Sequence, residues 1–480
     1  MDEIIRQGLT YGDVLLVPRY SDIRSRRDVD TSACLTPHIR LHIPIVSANM
    51  DTVTEAPMAI ALARHGGIGI IHRFNSIAQQ VEQVRQVKRA ETFVIEAPHT
   101  IGPDNTVEQA RDLLESLRIT GLPVVDHEGR LVGLLSGRDI LFVKDGSLLV
   151  AEVMTPRDKL VTAPVGTTIE QAEEVLQRHK VEKLPLVDAQ GKLAGLITLR
   201  DILQRTLHPN ATKDAKGGLM VGAAVGVVGD YLDRALELER AGADVLVLDI
   251  AHGHSANAIG ALRELRGRLG SIDLIAGNIA TAEGATDLAA AGADAVKVGV
   301  GPGSICITRE VTGVGVPQLT AVMDASRALK LAEIPIIADG GIRQGGDVTK
   351  ALAAGAGTVM VGNLLAGTRE SPGVVVVRNG RRYKASRGMA SAAAALERQR
   401  REKPGWEGET DFTEVVPEGV EGMVPFKGEA ADVLVQLVGG LRSGMSYLGA
   451  RTLEELRERA QFIQISESAR QESLPHDVEL

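Results

Sequence analysis

Eight short apolar runs, each ending at glycine or a polar residue, recur along most of this chain and constrain its fold strongly. They are residues 43–51, 67–73, 218–226, 244–254, 273–278, 294–303, 335–341 and 357–363. Segments rich in Ala, Leu, Glu and Arg, which are typical of helices, separate most of them. Alternating strands and helices predict a parallel sheet, and eight such units predict an α/β fold of the (β/α)8 TIM-barrel type. An open doubly wound sheet is the alternative, which the lack of an early GxGxxG fingerprint disfavours.

Composition supports a parallel α/β protein and limits the partners that the chain can take. Only 2% of the 480 residues are aromatic, so the core must consist mainly of Val, Ile, Leu and Ala, as in sheets buried on both faces. The net charge of -9 argues against a nucleic-acid partner. The start MDEIIRQ has no apolar leader, and no run of about 18 apolar residues predicts a membrane span. Since the chain has only two cysteines, we expect a reducing, cytoplasmic compartment.

An internal repeat occupies residues 92–206. A segment beginning TVEQARDLL at Thr106 matches one beginning TIEQAEEVL at Thr168, an offset of 62 residues (168 − 106). Arg138 and Arg200 keep the same offset (200 − 138), so the two copies align without gaps. Two matching α/β halves should pack as a pseudo-symmetric pair. The halves extend over about 94–143 and 150–205.

The repeat resembles a tandem CBS-domain pair. It would be inserted in the loop between the second and third barrel strands, where an insertion is tolerated best. The barrel would then consist of residues 1–91 and 207–480. The resemblance implies binding of ATP or GTP in the clefts between the halves, with Asp139 and Asp201 as ribose contacts. The alternative is that the pair binds nothing and only assists assembly.

Glycines crowd the segment 299–312, which follows the sixth predicted strand and reads GVGPGSICITREVT. Glycine allows backbone conformations and close approaches that other residues forbid. Cys306 therefore lies on a polar loop at the barrel face that carries function, where a thiol is a candidate nucleophile. Cys34 lies in TSACLTP without such a loop, and we expect it to be a small buried residue.

The last two predicted strands end in sequences suited to phosphate. They are IIADGGI and MVGN, at residues 336–342 and 360–363. Loops after the seventh and eighth strands are the usual phosphate site of a (β/α)8 barrel. Asp339 stands where a carboxylate could accept hydrogen bonds from ribose hydroxyls. Each glycine alone is compatible with an ordinary tight turn, but together these strand ends indicate a nucleoside monophosphate.

Three motifs identify a family resemblance that extends nearly end to end. GPGSICITR at 301–309, ADGGIR at 338–343 and SANMDTVTE at 47–55, with the inserted repeat, resemble the inosine monophosphate dehydrogenase/GMP reductase family. The resemblance implies an oxidoreductase acting at C2 of a purine nucleotide through a thioimidate on Cys306. It also implies a nicotinamide cofactor, NAD or NADP, and a homotetramer that pairs into octamers.

The same resemblance assigns roles to individual residues. Three would be catalytic: Cys306, Thr308 and Glu418. Those that would hold the nucleotide are Ser304, Asp339, Gly341, Gly362, Asn363, Met389 and Met50. Those that would face the nicotinamide are Asp249, Asn278 and Gly299. The carbonyls that would bind K⁺ are those of Gly301, Gly303 and Cys306.

The two branches of the family differ in the fate of the covalent intermediate. The dehydrogenase converts IMP, NAD and water to XMP and NADH, and the resemblance implies an Arg-Tyr pair on a flap that activates the water. The corresponding flap, about 388–428, has no such pair. Its residues Arg398, Arg400 and Arg401 could serve, but ERQRRE is equally typical of a solvated helix face. We therefore expect a GMP reductase, which converts GMP and NADPH to IMP, ammonia and NADP, with the dehydrogenase as the alternative. A nucleotide sensor with an inactive barrel is a third hypothesis.

Overall fold

The computed structural model describes residues 5–91, 94–117, 119–392, 394 and 416–475, apart from the side chains at 201 and 204–206. The chain divides into two compact units. The barrel unit comprises Met1–Ala90, Asn210–Asp214 and Leu219–Leu480. The inserted unit comprises Glu91–Pro209 and Ala215–Gly218.

Eight parallel strands form the closed barrel that the sequence predicts, so the predicted fold class is confirmed. In chain order they are β1 (Ile45–Ser47), β2 (Ile68–Ile71), β3 (Gly222–Val225), β4 (Val245–Asp249), β5 (Asp273–Ile279), β6 (Ala295–Val298), β7 (Ile336–Asp339) and β8 (Thr358–Val361). Each strand pairs with the next, and β8 pairs with β1 to close the ring. Strands β2 and β3 pair directly, although the inserted unit separates them in sequence.

Helices follow the strands around the barrel. They are α1 (Ala56–Arg64), α2 (Ile77–Arg89), α3 (Tyr231–Arg240), α4 (Ala256–Arg268), α5 (Ala282–Ala290), α6 (Gln318–Leu329), α7 (Gly345–Ala353) and α8 (Ala430–Leu448). Local sequence fixes their starts: Ser76 and Gln79 form a capping box at α2, which satisfies backbone N–H groups that the helix cannot. In the described part of the chain, no helix combines the length and apolarity needed to cross a bilayer.

Aliphatic side chains fill the barrel, as the low aromatic content requires. Strands β3, β6 and β8 are buried along their whole length. Such strands read as continuous apolar runs because both of their faces are covered. The carboxyl ends of all eight strands meet at one face of a (β/α)8 barrel, so the loops that follow them are brought together there.

A short hairpin of Ala33–Cys34 with Arg40–Leu41 precedes the barrel. Ala33 and Leu41 are buried, whereas Cys34 is exposed. The expectation of a buried Cys34 was wrong, because successive side chains of a strand point to opposite sides.

An ion-pair cluster lies near this hairpin, at the amino-terminal end of β5. His38 Nδ1 lies 2.8 Å from Asp273 Oδ1, and Asp294 is held by the guanidinium of Arg266. The hydrogen bond to Asp273 raises the pKa of His38. The side chains of His38, Asp273 and Asp294 are close enough to share a metal ion. Arg266 already neutralises Asp294, so the cluster needs no metal ion to balance that charge.

A three-stranded antiparallel sheet, which we call the ribbon, follows β8 in the chain. It comprises β9 (Val376–Arg378), β10 (Arg381–Arg387) and β11 (Glu421–Pro425), with Tyr383 opposite Pro425 and Arg387 opposite Glu421. The remaining elements of the barrel unit are Tyr11–Asp13, Val14–Leu16, Arg26–Asp28, Thr308–Thr312, Lys330–Ala332, Asn363–Ala366, Leu453–Arg459, Phe462–Gln464 and Glu467–Glu472.

The inserted unit contains two copies of one structural pattern. Its paired elements are Val107–Leu117 with Ile169–His179, Gly121–Val125 with Lys183–Val187, and Leu131–Ser136 with Leu193–Thr198. All three pairs keep the offset of 62 residues (169 − 107, 183 − 121, 193 − 131). The other elements are Gly137–Ile140, Val150–Val153, Thr155–Pro156, Arg157–Lys159, Ala163–Pro164 and Leu199–Leu207. Each copy has its own apolar core, and the assignment as a CBS pair stays a prediction.

Candidate active site

The loop after β6 is built around two glycines that no other residue could replace without strain. Gly299 has φ +151°, and a Cβ there would lie 2.1 Å from the carbonyl oxygen of Asp339. Gly301 has φ +81°, and a Cβ there would lie 2.6 Å from the Arg309 side chain. Arg309 Nε donates to the Val300 carbonyl at 3.1 Å, and its guanidinium also donates to Val316 at 2.6 Å. This arginine therefore joins the two ends of the loop.

Cys306 stands on this loop with a hydroxyl beside it. Its Sγ lies 3.2 Å from Thr308 Oγ1, and the thiol residue is only partly buried. Thr308 begins the short helix Thr308–Thr312. A reactive cysteine needs access to its substrate and a polar neighbour that can exchange a proton, and this position offers both.

Residues from beyond the gap in the described chain complete this loop. The Ile307 N–H donates to the Glu418 carbonyl at 2.9 Å, and the Val420 N–H donates to Ile305 at 3.0 Å. Cys306 thereby pairs with Gly419 as an isolated antiparallel bridge. The structure thus brings Glu418 to the Cys306 loop, although 112 residues separate them (418 − 306).

A cluster of three polar side chains, of which Lys297 is buried and Asn278 and Asp339 are partly buried, lies at the same strand ends. Asn278 Nδ2 donates to Asp339 Oδ2 at 2.9 Å and to the Gly299 carbonyl at 2.8 Å. Lys297 Nζ donates to Asp339 Oδ2 at 2.8 Å and also contacts Asn278 Oδ1. The Lys297 side chain is only 3% exposed, so its charge needs the Asp339 carboxylate.

Lys297 is a residue of this cluster that the sequence motifs did not predict, although one signal for it was present. It is the single charged residue inside the apolar strand AVKV. A charged residue in a fully buried strand needs a partner of opposite charge, and Asp339 on the adjacent strand β7 supplies it. Asp339 and Asn278 were predicted to face different ligands, whereas the structure joins them by a hydrogen bond.

Some of the residues predicted to bind the nucleotide phosphate and base lie close together in the structure. A Cβ at Gly362 would lie 3.3 Å from Met50 Sδ, and Asn363 begins the short helix Asn363–Ala366. Met389 Sδ accepts from the Asp51 N–H at 3.4 Å. Contacts thus join Gly362 to Met50, and Met389 to the residue that follows Met50.

Two predicted nucleotide residues stand apart from these contacts. Gly341 has φ +79° and packs on the Tyr11 ring. Ser304 is exposed on the Cys306 loop. Among the described residues, no side-chain hydrogen bond joins Ser304 to the other predicted nucleotide residues, and Gly341 has no side chain that could make one.

Asp249 ends strand β4 opposite Gly277, next to Asn278. Its carboxylate lies 3.2 Å from Arg73 Nε, and Arg73 follows strand β2. No local motif marks Arg73 as a site residue, since its partner lies 176 residues away.

In the inserted unit, Asp139 has a local partner. Its Oδ2 accepts from both the N–H and the hydroxyl of Ser136 at 2.7 Å, which caps the short helix Gly137–Ile140. The side chain of Asp201 lies outside the described part of the structure, as do Arg398, Arg400 and Arg401. The described cavities of about 660 and 470 Å³ in this unit lie near Thr168 and Asn105, respectively. Asp139 lines neither of them.

The fold and the site define a class of protein. A (β/α)8 barrel with a partly buried thiol on the loop after its sixth strand, and a threonine hydroxyl 3.2 Å from it, has the fold and a candidate active site of a barrel enzyme.

Comparison with known proteins identifies the family. The model of the IMP dehydrogenase / GMP reductase domain matches residues 8–476. Inosine-5'-monophosphate dehydrogenase from Aquifex aeolicus is 54% identical over 100% of this chain and 97% of that protein. The Bacillus subtilis protein of the same name is 51% identical over 99% of this chain and 96% of its own length. A crystal structure of a GMP reductase variant from Trypanosoma brucei in complex with guanosine 5'-monophosphate has a TM-score of 0.94 and 45% identity, covering 100% of this chain and 99% of that one.

The chain belongs to the IMP dehydrogenase / GMP reductase family. It is therefore an NAD(P)-dependent oxidoreductase of purine metabolism, as the sequence motifs predicted. The individual roles of the site residues stay predictions.

Proposed function

We propose that this chain oxidises inosine 5'-monophosphate at C2 with NAD, and that Cys306 carries the purine during the reaction. The observation that carries the proposal is the Cys306 thiol, 3.2 Å from the Thr308 hydroxyl on the loop after β6. Oxidation of IMP, as opposed to reduction of GMP, is supported by the relatives named inosine-5'-monophosphate dehydrogenase, which match nearly the whole chain. These comparisons favour the alternative over GMP reduction, which the flap sequence had led us to expect.

The chemistry can be written for the residues of this chain. Cys306 releases its thiol proton, Sγ forms a bond to C2 of the nucleotide and the C2–H bond breaks; NAD, when bound, would accept that hydride. Water then attacks the resulting thioimidate, which releases xanthosine 5'-monophosphate and restores the thiol. Covalent catalysis of this kind divides one difficult step into two. We assign the protons of the attacking water to Thr308 and Glu418, which both lie at the Cys306 loop.

The nucleotide would lie across the carboxyl ends of β6, β7, β8 and β1. We assign the ribose hydroxyls to Asp339, whose Oδ2 is already oriented by Lys297 and Asn278. Hydrogen bonds that preset a carboxylate leave less side-chain freedom to lose on binding. The remaining residues that we assign to phosphate and base are Ser304, Gly341, Gly362, Asn363, Met50 and Met389.

The cofactor and a monovalent cation fit the residues present. We assign the nicotinamide side to Asp249, Asn278 and Gly299, which lie at the ends of adjacent strands β4, β5 and β6. Gly303 and Cys306 are the two ends of one tight turn, in which the Cys306 N–H donates to the Gly303 carbonyl at 3.2 Å, and Gly301 precedes that turn by two residues. Uncharged carbonyl oxygens are the ligands of K⁺ sites, so this turn would hold K⁺.

GMP reduction is the second candidate, and specific observations favour it. The sequence of residues 388–428 contains no Arg-Tyr pair, and hydrolysis of the thioimidate requires a group that activates water. Two solved structures of a GMP reductase from Trypanosoma brucei resemble this chain over 100% and 98% of its length. This reaction would form the same Cys306 thioimidate with release of ammonia from C2, and hydride from NADPH would then give IMP and restore the thiol.

One assay with two mixtures separates the candidates. We would follow the absorbance of reduced nicotinamide with IMP, NAD and K⁺ in one cuvette, and with GMP and NADPH in the other. A rise in the first with XMP formed supports the proposal, and a fall in the second with ammonia released supports the reductase. Cys306→Ala serves as the matched blank in both. A wild-type chain inactive in both mixtures that still binds ATP or GTP would support the nucleotide sensor instead.

For the inserted unit we propose binding of ATP or GTP. The support is the repeat, the cavities near Thr168 and Asn105, and a related GMP reductase solved in complex with guanosine 5'-triphosphate. We further propose a homotetramer that pairs into octamers when nucleotide binds. Calorimetric titration with each nucleotide, and sedimentation with and without it, would test both statements. Failure of both nucleotides to bind would leave the unit an assembly module.

A further inference from the structure

Two lysines on either side of the segment 388–420 donate to backbone oxygens instead of carboxylates. Lys384, on β10, is only 2% exposed. Its Nζ donates to the carbonyls of Thr368 at 3.0 Å, Arg369 at 3.3 Å and Ser371 at 2.5 Å. Burial lowers the pKa of Lys384. A buried ammonium needs these hydrogen bonds to offset its loss of hydration. The three carbonyl groups must therefore keep their positions around Nζ, which fixes the backbone of residues 368–371.

Lys427 makes the corresponding contact from the other side of the ribbon, two residues after β11. Its Nζ donates to the carbonyls of Asn363 at 3.2 Å and Leu364 at 3.3 Å. Its backbone N–H donates to the Gly367 carbonyl at 2.8 Å. Both lysines therefore bind one stretch, residues 363–371, which we call the phosphate-side segment because it follows Gly362.

The opposite end of the ribbon contacts the nucleophile loop. β10 and β11 pair from Tyr383 opposite Pro425 to Arg387 opposite Glu421. Beyond that last pair, the Val420 N–H donates to the Ile305 carbonyl at 3.0 Å. The ribbon thus joins the phosphate-side segment at one end to the residues flanking Cys306 at the other. Paired strands transmit position because their ladder hydrogen bonds resist sliding.

We propose that Lys384 and Lys427 are positioning residues, which use the ribbon to set Cys306 in register with a nucleotide phosphate bound beside Gly362. The inference rests on the proposed function, because it takes a nucleoside monophosphate as the substrate. Binding energy from the phosphate, which does not react, would then serve to place C2 at the thiol. Neither lysine needs to touch the substrate for this effect.

The test uses Lys384→Met and Lys427→Met in the full chain, with exposed Lys330→Met as the matched control. Three quantities are measured. They are kcat for the substrate that the wild-type chain converts (IMP with NAD, or GMP with NADPH), the calorimetric Kd of that same nucleotide, and the rate of Cys306 alkylation by iodoacetamide. Alkylation is followed on the Cys306 peptide by mass spectrometry, because Cys34 is exposed and reacts as well.

We expect kcat to fall by about 10- to 100-fold, the loss typical of a misplacement of roughly 1 Å. The Kd and the alkylation rate should stay within about threefold of wild type, because neither needs the register between phosphate and thiol. A merely structural role would instead change all three together, or only the melting temperature. Lys427 is less buried than Lys384, so its variant keeps the test available if Lys384→Met does not fold.

Two outcomes would overturn the inference while leaving the proposed function intact. One is an unchanged kcat in both variants of an active enzyme. The other is a parallel loss of kcat, binding and alkylation. An inactive wild-type chain would instead refute the proposed function, and the inference with it.

Discussion

Removing the Lys297 ammonium should destabilise the barrel by an amount that the structure allows us to estimate. Lys297→Met keeps the length of the side chain but leaves Asp339 Oδ2 without the donor at 2.8 Å. Loss of one partner of a buried ion pair costs about 3–5 kcal/mol. Asp339 retains its hydrogen bond from Asn278, and its side chain is 22% exposed, so we expect the lower value, about 3 kcal/mol.

Calorimetric melting of the full chain measures this cost. A loss of about 3 kcal/mol should lower the Tm of the barrel transition by roughly 5 °C. Nucleotide affinity should weaken by about tenfold, or 1.4 kcal/mol, because Asp339 is no longer oriented. Lys330→Met, which removes an exposed lysine, should change neither quantity. If Lys297→Met melts within about 1 °C of that control, the buried pair does not contribute as argued.

Three further predictions concern the nucleophile, the loop before it and the His38 cluster. Cys306→Ala should lower turnover by at least about 1000-fold, as seen by nicotinamide absorbance, with nucleotide binding retained in calorimetry; residual turnover near wild type would remove the covalent mechanism. Gly299→Ala places a methyl group 2.1 Å from the Asp339 carbonyl oxygen, so nucleotide binding and Tm should both fall, and a wild-type titration curve would contradict the clash. The pKa of His38 is raised by Asp273, so its stabilising charge is fully present below about pH 6.5 and is lost as the pH rises through the raised value. The Tm difference between wild type and His38→Gln should therefore be larger at about pH 5.5 than at about pH 8.5, and equal differences would exclude the charged pair.

The barrel could be predicted from the sequence because each strand carries its own local signal. The run 294–303 contains β6, and the run 335–341 contains β7, as the continuous apolar stretches required. The lengths of seven strands were overestimated, because the predicted runs included flanking loop residues, whereas the run 273–278 is one residue shorter than β5. Hydrophobicity does not mark where a strand ends and a functional loop begins.

The contacts inside the site could not be predicted in the same way. Lys297 meets Asp339 because β6 and β7 are adjacent strands of the closed barrel. Arg73 meets Asp249 because β2 and β4 flank the same strand, β3. Those partners lie 42 and 176 residues apart. The prediction that Cys34 is buried was wrong for a local reason. Successive side chains of a strand point to opposite sides, so in the two-residue strand Ala33–Cys34 only one side chain is buried.

The direct pairing of β2 with β3 bears on how the chain folds during synthesis. Ile70 lies opposite Gly222, yet residues 72–221, an interval of 150 residues, are translated between the two strands. At about 5–20 residues per second, the ribosome needs roughly 8–30 seconds to make that interval. Throughout that time β2 can pair with β1, but its edge toward β3 has no partner. Each half of the inserted unit can form its own apolar core in the meantime. The barrel closes only when β8 has been synthesised and pairs with β1. One edge of β1, the first barrel strand to be made, therefore stays unpaired until the last strand is available.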